Sequence, residues 1–361
     1  MRIAVLGVGL IGGSIGLAAR RQDETTVVGF DPDPAMLERA LEVGAIDHAA
    51  ESDPDACVGA EVVFCAAPVS VLGDLARVAL RGSGPECVVT DVGSTKQGIV
   101  AAIGADERFV GGHPLAGAET VGVENARADL FEGARWYLTP TERSSGLLYD
   151  KLQRTIAGLG ARPQAIEAEA HDRLMATVSH LPHVVANVLA AQAAAELTGD
   201  GERMPEVGPS FRDTTRVAGS NPAIWGDIFS SNREAVAEAV EAVAERMSAA
   251  AGLIRSGDRE AVTAWHAEAA EHRRQLLESD RPGGPLTELR IIVANRPGTV
   301  AELALALGEA GVNIEDMALY PAPDMTSGAV SLWVSGSDQA DRAVGLVREL
   351  GHTVTVLGLG G

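Results

Sequence analysis

A few side chains in this sequence stand where they could move a proton or hold a charge. His113 lies in Gly111-Gly112-His113-Pro114-Leu115-Ala116-Gly117-Ala118-Glu119, directly after the apolar run Phe109-Val110, which reads as a strand end. An imidazole titrates near pH ~6.5 when nothing perturbs it, and at a strand tip it is placed to meet a ligand. The competing reading is a turn whose histidine only caps the loop. His180 and His183 sit in Val178-Ser179-His180-Leu181-Pro182-His183. Three apart, they share one helix face, and Pro182 should kink that helix. Such a pair can ligate a metal, but no acidic or cysteine partner is assured, and no metal site is expected. Polar residues facing a ligand cleft, or helix packing, are the other readings. Arg212 and Arg216 share a face if their segment is helical. Guanidinium groups bind carboxylates through paired hydrogen bonds. An ion pair between Asp213 and Arg216 is compatible with that role.

Such groups need elements to position them. Arg2-Ile3-Ala4-Val5-Leu6 is a strand, Gly7-Val8-Gly9-Leu10-Ile11-Gly12 follows at once, and Ser14 to Arg20 continues as a helix. This is a G-x-G-x-x-G turn in its required setting. Gly7 permits the turn, Gly9 lets a pyrophosphate approach the backbone, and Gly12 lets the helix pack on the strand. The second strand, Thr25 to Phe30, ends in Asp31, about twenty residues past Gly12, where a carboxylate meets the adenosine ribose. It would repel a 2′-phosphate, so the expected cofactor is NAD rather than NADP. With both features present, dinucleotide binding outweighs a bare structural βαβ unit.

Further strands end at Ala66-Ala67-Pro68, at Asp91-Val92-Gly93-Ser94-Thr95-Lys96 and at His113. In an open parallel α/β sheet these loops share one edge. The glycine loop, Asp31, Pro68, Ser94 and His113 should therefore converge. Ser94 can also read as the N-cap of a helix starting near Thr95. Lys96 either meets an anion or stands in solvent in the first helical turn.

The formal net charge of −21 argues against nucleic acid or an anionic membrane as partner. Cys57, Cys65 and Cys87 form no disulfide or zinc pattern, and a cytoplasmic setting fits. The first twenty residues superficially resemble a signal peptide, but their glycines belong to the dinucleotide turn. No stretch reads as a membrane span. The expected organisation is an α/β Rossmann-type domain over residues 1–166, an all-helical substrate and dimerisation domain over 167–281, and a small βαββαβ α+β domain over 287–361. Long helices without a sheet of their own suggest a homodimer.

Taken together, Gly7-x-Gly9-Leu10-Ile11-Gly12-Gly13-Ser14, Asp91-Val92-Gly93-Ser94-Thr95-Lys96, His113-Pro114-Leu115-Ala116-Gly117-x-Glu119, Ser179-His180-Leu181-Pro182-His183 and Phe211-Arg212-Asp213-x-Thr215-Arg216 resemble the prephenate dehydrogenase (TyrA) family of tyrosine biosynthesis. The resemblance covers about residues 1–280. It implies NAD-linked oxidative decarboxylation of prephenate: a ring hydroxyl is oxidised, hydride passes to nicotinamide, and CO₂ leaves as the ring becomes aromatic. On that reading His113 accepts the hydroxyl proton or polarises that bond, and Ser94 hydrogen-bonds both His113 and the substrate hydroxyl. Arg216 holds a substrate carboxylate, His183 lines the substrate pocket, and Glu119 is a gate or polar wall. His180 joins Gly7, Gly9, Leu10, Ile11, Gly12, Asp31 and Pro68 on the cofactor side. The acid limb of the rate should fall near pH ~6.5 if His113 is unperturbed.

Alternatives are an arogenate dehydrogenase, whose substrate carries an amino in place of a keto group, and a non-catalytic NAD-sensing module. A β-hydroxyacid dehydrogenase would need a lysine in the helical domain, which has none. The tail pattern Arg296-Pro297-Gly298-x-x-x-x-Leu303 with Gly311-x-Asn313-Ile314 resembles an ACT domain. That resemblance implies an amino-acid effector, tyrosine, near Gly298, Asn313 and Ile314, or a role in stabilising the dimer.

Overall fold

The computed structural model describes residues 1–117, 120–197, 207–278, 286–322 and 326–358. Two compact units, Met1–Met247 and Ser248–Gly361, make up the chain.

The first unit begins with β1 (Arg2–Leu6), α1 (Leu10–Ala19), β2 (Thr26–Phe30), α2 (Pro34–Glu42), β3 (His48–Ala49) and α3 (Asp53–Cys57). There follow β4 (Val62–Cys65), α4 (Val69–Gly82), β5 (Val88–Asp91) and α5 (Gln97–Ile103). The five strands pair in parallel in the order β3-β2-β1-β4-β5. Both faces of this sheet are covered, so its strands are apolar throughout. Along β1, Ile3 and Val5 enter one core with Ile15 and Ile156, while Ala4 and Leu6 enter the other with Leu72 and Ala76. The order reverses between β1 and β4, and ligands bind at such switch points, beyond the strand ends.

The strand carrying His113 departs from expectation. It is β6 (Gly111–Pro114), not Phe109-Val110, and His113 lies inside it. β6 pairs antiparallel with β7 (Arg135–Thr139), and β7 pairs parallel with β8 (Arg162–Ala165), across α6 (Gly146–Gly158). Among the described residues a single bridge, Val89 to Phe109, continues the parallel sheet towards it. The glycines that look like loop explain the difference. A Cβ at Gly112 would come within 2.5 Å of the Asp91 carbonyl oxygen and 2.7 Å of Thr90 Oγ1. Glycine at 112 is what lets β6 press against β5.

The helical part runs through α7 (Ala168–Met175), a π turn (Ala176–His180), α8 (Leu181–Leu197), α9 (Pro209–Thr215), a 3₁₀ turn (Arg216–Gly219), α10 (Pro222–Ser231) and α11 (Arg233–Ser256). The break before Pro182 takes the form of the π turn. Proline cannot donate to the carbonyl four residues back and collides with it; widening the preceding turn is one way to absorb this. By length and composition alone, the run Ala168–Ala195 passes for a membrane-crossing helix. Yet this run buries His171, Asp172 and His180 against the rest of the unit. The exposed Val188 and Leu189 leave an apolar face on α8.

The second unit holds α12 (Arg259–Glu278), β9 (Leu286–Ala294), α13 (Thr299–Glu309), β10 (Ile314–Pro321), β11 (Ser327–Ser335), α14 (Ser337–Glu349) and β12 (Thr353–Gly358). From β9 onward the order is βαββαβ, as the hydrophobic pattern predicts. The antiparallel sheet runs β10-β11-β9-β12. Leu289, Ile291 and Val293 of β9 pack with Leu303, Leu307, Ala343 and Val347 of the two helices. The expected linker at 281–285 lies outside the described residues.

Candidate active site

The cofactor side is built by contact between loops. Gly7 has φ +93°, and a Cβ there would stand 2.3 Å from the Ala66 carbonyl oxygen, so the glycine turn lies against the loop that leads to Pro68. Pro68 itself is the residue before α4. A Cβ on Gly12 would strike the Gly7 carbonyl oxygen at 1.9 Å. Gly9 is different. Its φ is −70°, and nothing lies within 4 Å of where its Cβ would be. No internal contact demands glycine there; the open space does, at the uncapped N-terminus of α1. Leu10 and Ile11 form the first turn of that helix, whose free N–H groups suit a pyrophosphate.

Asp31 closes β2 and accepts from the Val8 N–H at 3.0 Å and from the Asp33 N–H at 3.0 Å. It thus holds the glycine turn while presenting a carboxylate. Asp53 lies close enough to feel it: burial, then the Asp31 charge, raises the Asp53 pKa. Two carboxylates at this edge disfavour a 2′-phosphate. The residues present fit NAD.

The other side is organised by a buried ion pair. Lys96 is fully buried; its ammonium contacts Asp91 and donates to the Gly112 carbonyl at 2.6 Å. Neither expected role, anion contact or a solvated first turn, describes it. Asp91 also accepts from Gly93 N (2.8 Å) and Gly112 N (3.1 Å). Burial outweighs the pull of Asp91, so the Lys96 pKa is lowered. This cluster ties the loop of Ser94 to the strand of His113.

The cap on α5 comes from elsewhere than expected. Asp172 of α7 accepts from Lys96 N at 2.7 Å and Gln97 N at 2.9 Å, so Ser94 is not the cap. Among the described residues no hydrogen bond joins Ser94 to His113. His113 Nδ1 instead faces His171 Nε2 at 2.9 Å, and His171 Nδ1 faces Asp172 Oδ1 at 2.8 Å.

His180 is buried with Nδ1 3.2 Å from Asn232 Nδ2, and the same amide donates to the Asp172 carbonyl at 2.8 Å. His183 stacks on Trp225, ring centroids 3.4 Å apart, and its Nδ1 lies 3.0 Å from the Ser179 carbonyl. His180 and His183 therefore do face one neighbourhood, around Trp225. Arg216 is exposed and opens the 3₁₀ turn after α9; its charge reaches His183. Arg212 turns away to the Val207 carbonyl at 2.7 Å. Glu119 lies outside the described residues.

Burial sets the charge of these rings. The His113 pKa is pushed well below its ordinary value by burial first, then by His171, Lys96 and His180. His180 is pushed down to about 4 by burial, against the opposing pull of Asp172. His183 is lowered by burial and by Arg216, opposed by the Ser179 carbonyl. The lowered pKa values favour the uncharged form of all three rings at neutral pH.

The sequence reading gave no role to His171, Asp172, Trp225 or Asn232. The one available signal was an adjacent His-Asp pair in an alanine-rich helix. Local pattern does not show where such a pair points.

A Rossmann sheet with an open glycine turn, packed against helices that carry histidines and an arginine, defines a dinucleotide-linked dehydrogenase. Comparison with known proteins makes the class specific. Residues 15–164 match the family model for the prephenate dehydrogenase nucleotide-binding domain, and residues 167–268 match that for its dimerization domain. The chain belongs to the prephenate dehydrogenase family, and is an NAD-dependent oxidoreductase. It is 30% identical over 350 residues to a prephenate dehydrogenase of Bacillus subtilis, covering 94% of each chain. A crystal structure of Aquifex aeolicus prephenate dehydrogenase, in complex with hydroxyphenyl propionate and NAD⁺, superposes with TM-score 0.71 at 30% identity. That match covers 76% of this chain and 98% of the other. A Synechocystis arogenate dehydrogenase structure matches with TM-score 0.67 at 27% identity, covering 76% and 100%.

Proposed function

We propose that this site converts prephenate to 4-hydroxyphenylpyruvate in tyrosine biosynthesis, with His113 as the catalytic base. The observation that carries the reading is a partly buried His113 on β6, tied to the Ser94 loop through Lys96 and within electrostatic reach of His180, its pKa pushed down by burial. Bound NAD supplies the hydride acceptor. His113 takes the proton of the ring hydroxyl as hydride leaves the same carbon. The bond to the ring carboxylate then breaks, its electron pair enters the ring, and CO₂ departs; the proton on His113 returns to the phenolate. Ser94 hydrogen-bonds the substrate hydroxyl, Arg216 holds a substrate carboxylate and His183 lines the pocket. His180 stands on the nicotinamide side, and Glu119 is a polar wall. Removal of the proton by a positioned base typically contributes ~10²–10⁴-fold, beyond what holding donor and acceptor together supplies. The test is to offer prephenate and arogenate separately with NAD and follow the reduced cofactor. Turnover of prephenate at the higher kcat/KM is expected; preference for arogenate, or no turnover of either, overturns the assignment.

The chain further divides into a nucleotide-binding part (1–166), a helical part (167–281) and an ACT-like part (287–361), and acts as a cytoplasmic homodimer through its helices. The exposed apolar face of α8 supports the dimer. In the ACT-like part, Gly298 has φ +91° at the start of α13, and Asn313 donates to Glu315 at 2.9 Å just before β10 opens with Ile314. Tyrosine binding there, measured by calorimetry and by inhibition of turnover, is the expected outcome. An unchanged rate with no heat of binding would leave the module a structural one.

A further inference from the structure

We propose that His171 and Asp172 are positioning residues that fix the tautomer of His113, placing its proton on Nδ1 and leaving Nε2 as the acceptor of the substrate proton. The inference rests on the reading that His113 is the base. It starts from the hydrogen-bond inventory of each group.

An ionised carboxylate only accepts. Asp172 takes the Lys96 and Gln97 N–H groups and lies 2.8 Å from His171 Nδ1, so the proton in that last contact belongs to His171. In a neutral imidazole the second nitrogen is then an acceptor. His171 Nε2 is that atom, and it lies 2.9 Å from His113 Nδ1. With His171 taken as the neutral ring, His113 donates through Nδ1 and its Nε2 keeps a lone pair. The second nitrogen of a histidine is commonly set this way, by the hydrogen bond the first one makes.

The anchor cannot swing. Two backbone N–H groups hold the Asp172 carboxylate, and Asn232 holds its carbonyl. His171 is fully buried, with the Tyr137 ring edge-on at a centroid distance of 5.7 Å. The groups facing His113 are His171, His180 and Lys96, the last already paired with Asp91. When Nε2 takes a proton, the Nδ1–H bond to His171 becomes charge-assisted and strengthens. The relay stabilises the ring in the state it reaches during reaction, without itself touching substrate.

Two substitutions separate this role from simple packing. His171→Gln can still donate to Asp172 through Nε2 and accept from His113 through Oε1. His171→Leu fills the space but does neither. For His171→Leu we expect kcat for prephenate to fall by about 10²–10⁴-fold, the range seen when a base loses its proton order, with NAD affinity unchanged. His171→Gln should recover most of that loss. Nitrogen NMR of ring-labelled histidines in the wild-type protein should show His113 Nε2 unprotonated and Nδ1 protonated. Equal rates for the Leu and Gln variants, or a proton on His113 Nε2 at neutral pH, would overturn the proposal. The NMR result stands even if the Leu variant fails to fold. Retained turnover in His113→Asn would instead remove the base assignment itself, which keeps the two failures apart.

Discussion

Replacing Lys96 with Met isolates what the buried pair beneath His113 contributes. Methionine keeps the length of the apolar stem and loses the ammonium. Lys96 and Asp91 are both fully buried, so the substitution strands a carboxylate that retains only the Gly93 and Gly112 N–H donors, and it takes one donor from the Gly112 carbonyl. Breaking a buried pair from one side typically costs about 3–5 kcal/mol, because the surviving charge is uncompensated. For a unit of this size each kcal/mol moves Tm by roughly 2–4 °C. The expected fall is thus about 6–20 °C, read by scanning calorimetry and checked by urea unfolding. The lowered pKa of Lys96 shows that burial already works against its charge, so the intact pair need not be a large net source of stability. That distinction has its own signature. Adding Asp91→Asn to Lys96→Met removes the stranded charge and should restore stability by about 1 kcal/mol or more. A Tm change under ~2 °C for Lys96→Met, or a double variant no more stable than the single, would refute the reasoning.

His113→Asn should retain NAD binding and lose about 10²–10⁴-fold in kcat; unchanged turnover would end its role as the base. Because burial lowers the His113 pKa, the base stays deprotonated below pH 6.5, and the acid limb of kcat should fall at a lower pH than an unperturbed histidine would give; a limb at or above ~6.5 would contradict the environment described. His180 binds its proton at about 4 in the folded chain and at ~6.5 when unfolded, so stability should be full above ~6.5 and fall, by up to about 3 kcal/mol, as the pH drops towards 4. Urea titrations should show this slope in the wild type and a flatter one in His180→Gln; identical slopes would count against it. With Asp31 closing β2 and Asp53 within its electrostatic reach, kcat/KM should be far higher with NAD than with NADP, and comparable values would refute the selectivity argument.

The nucleotide-binding half was legible in the sequence because its chemistry is backbone chemistry. Gly7 must adopt a positive φ, Gly12 must admit a carbonyl, and Gly9 must leave room for a ligand; these are local demands that a short motif records. Asp31 followed because strand and helix lengths fix its distance from that motif. The alternation of β9 and the helical spacing of α13 were equally readable, since each buries one face. His113, His180, His183 and Arg216 could be picked out as residue types, and the resemblance to a known family gave them roles.

Only the tertiary structure decided what stands behind them. Lys96 read as either an anion contact or a solvated first-turn lysine, because its burial depends on the Asp91 carboxylate and the Gly112 carbonyl of two separate strands closing over it. Gly111-Gly112 looked like loop, because the need for glycine arises from β5 pressing on β6. Ser94 looked like the helix cap and the partner of His113. Asp172, from a helix far along the chain, takes the first role, and His171 faces His113 Nδ1. The order of protons along His113, His171 and Asp172 depends on distances set by packing between separate elements, and no spacing within any one of them encodes it.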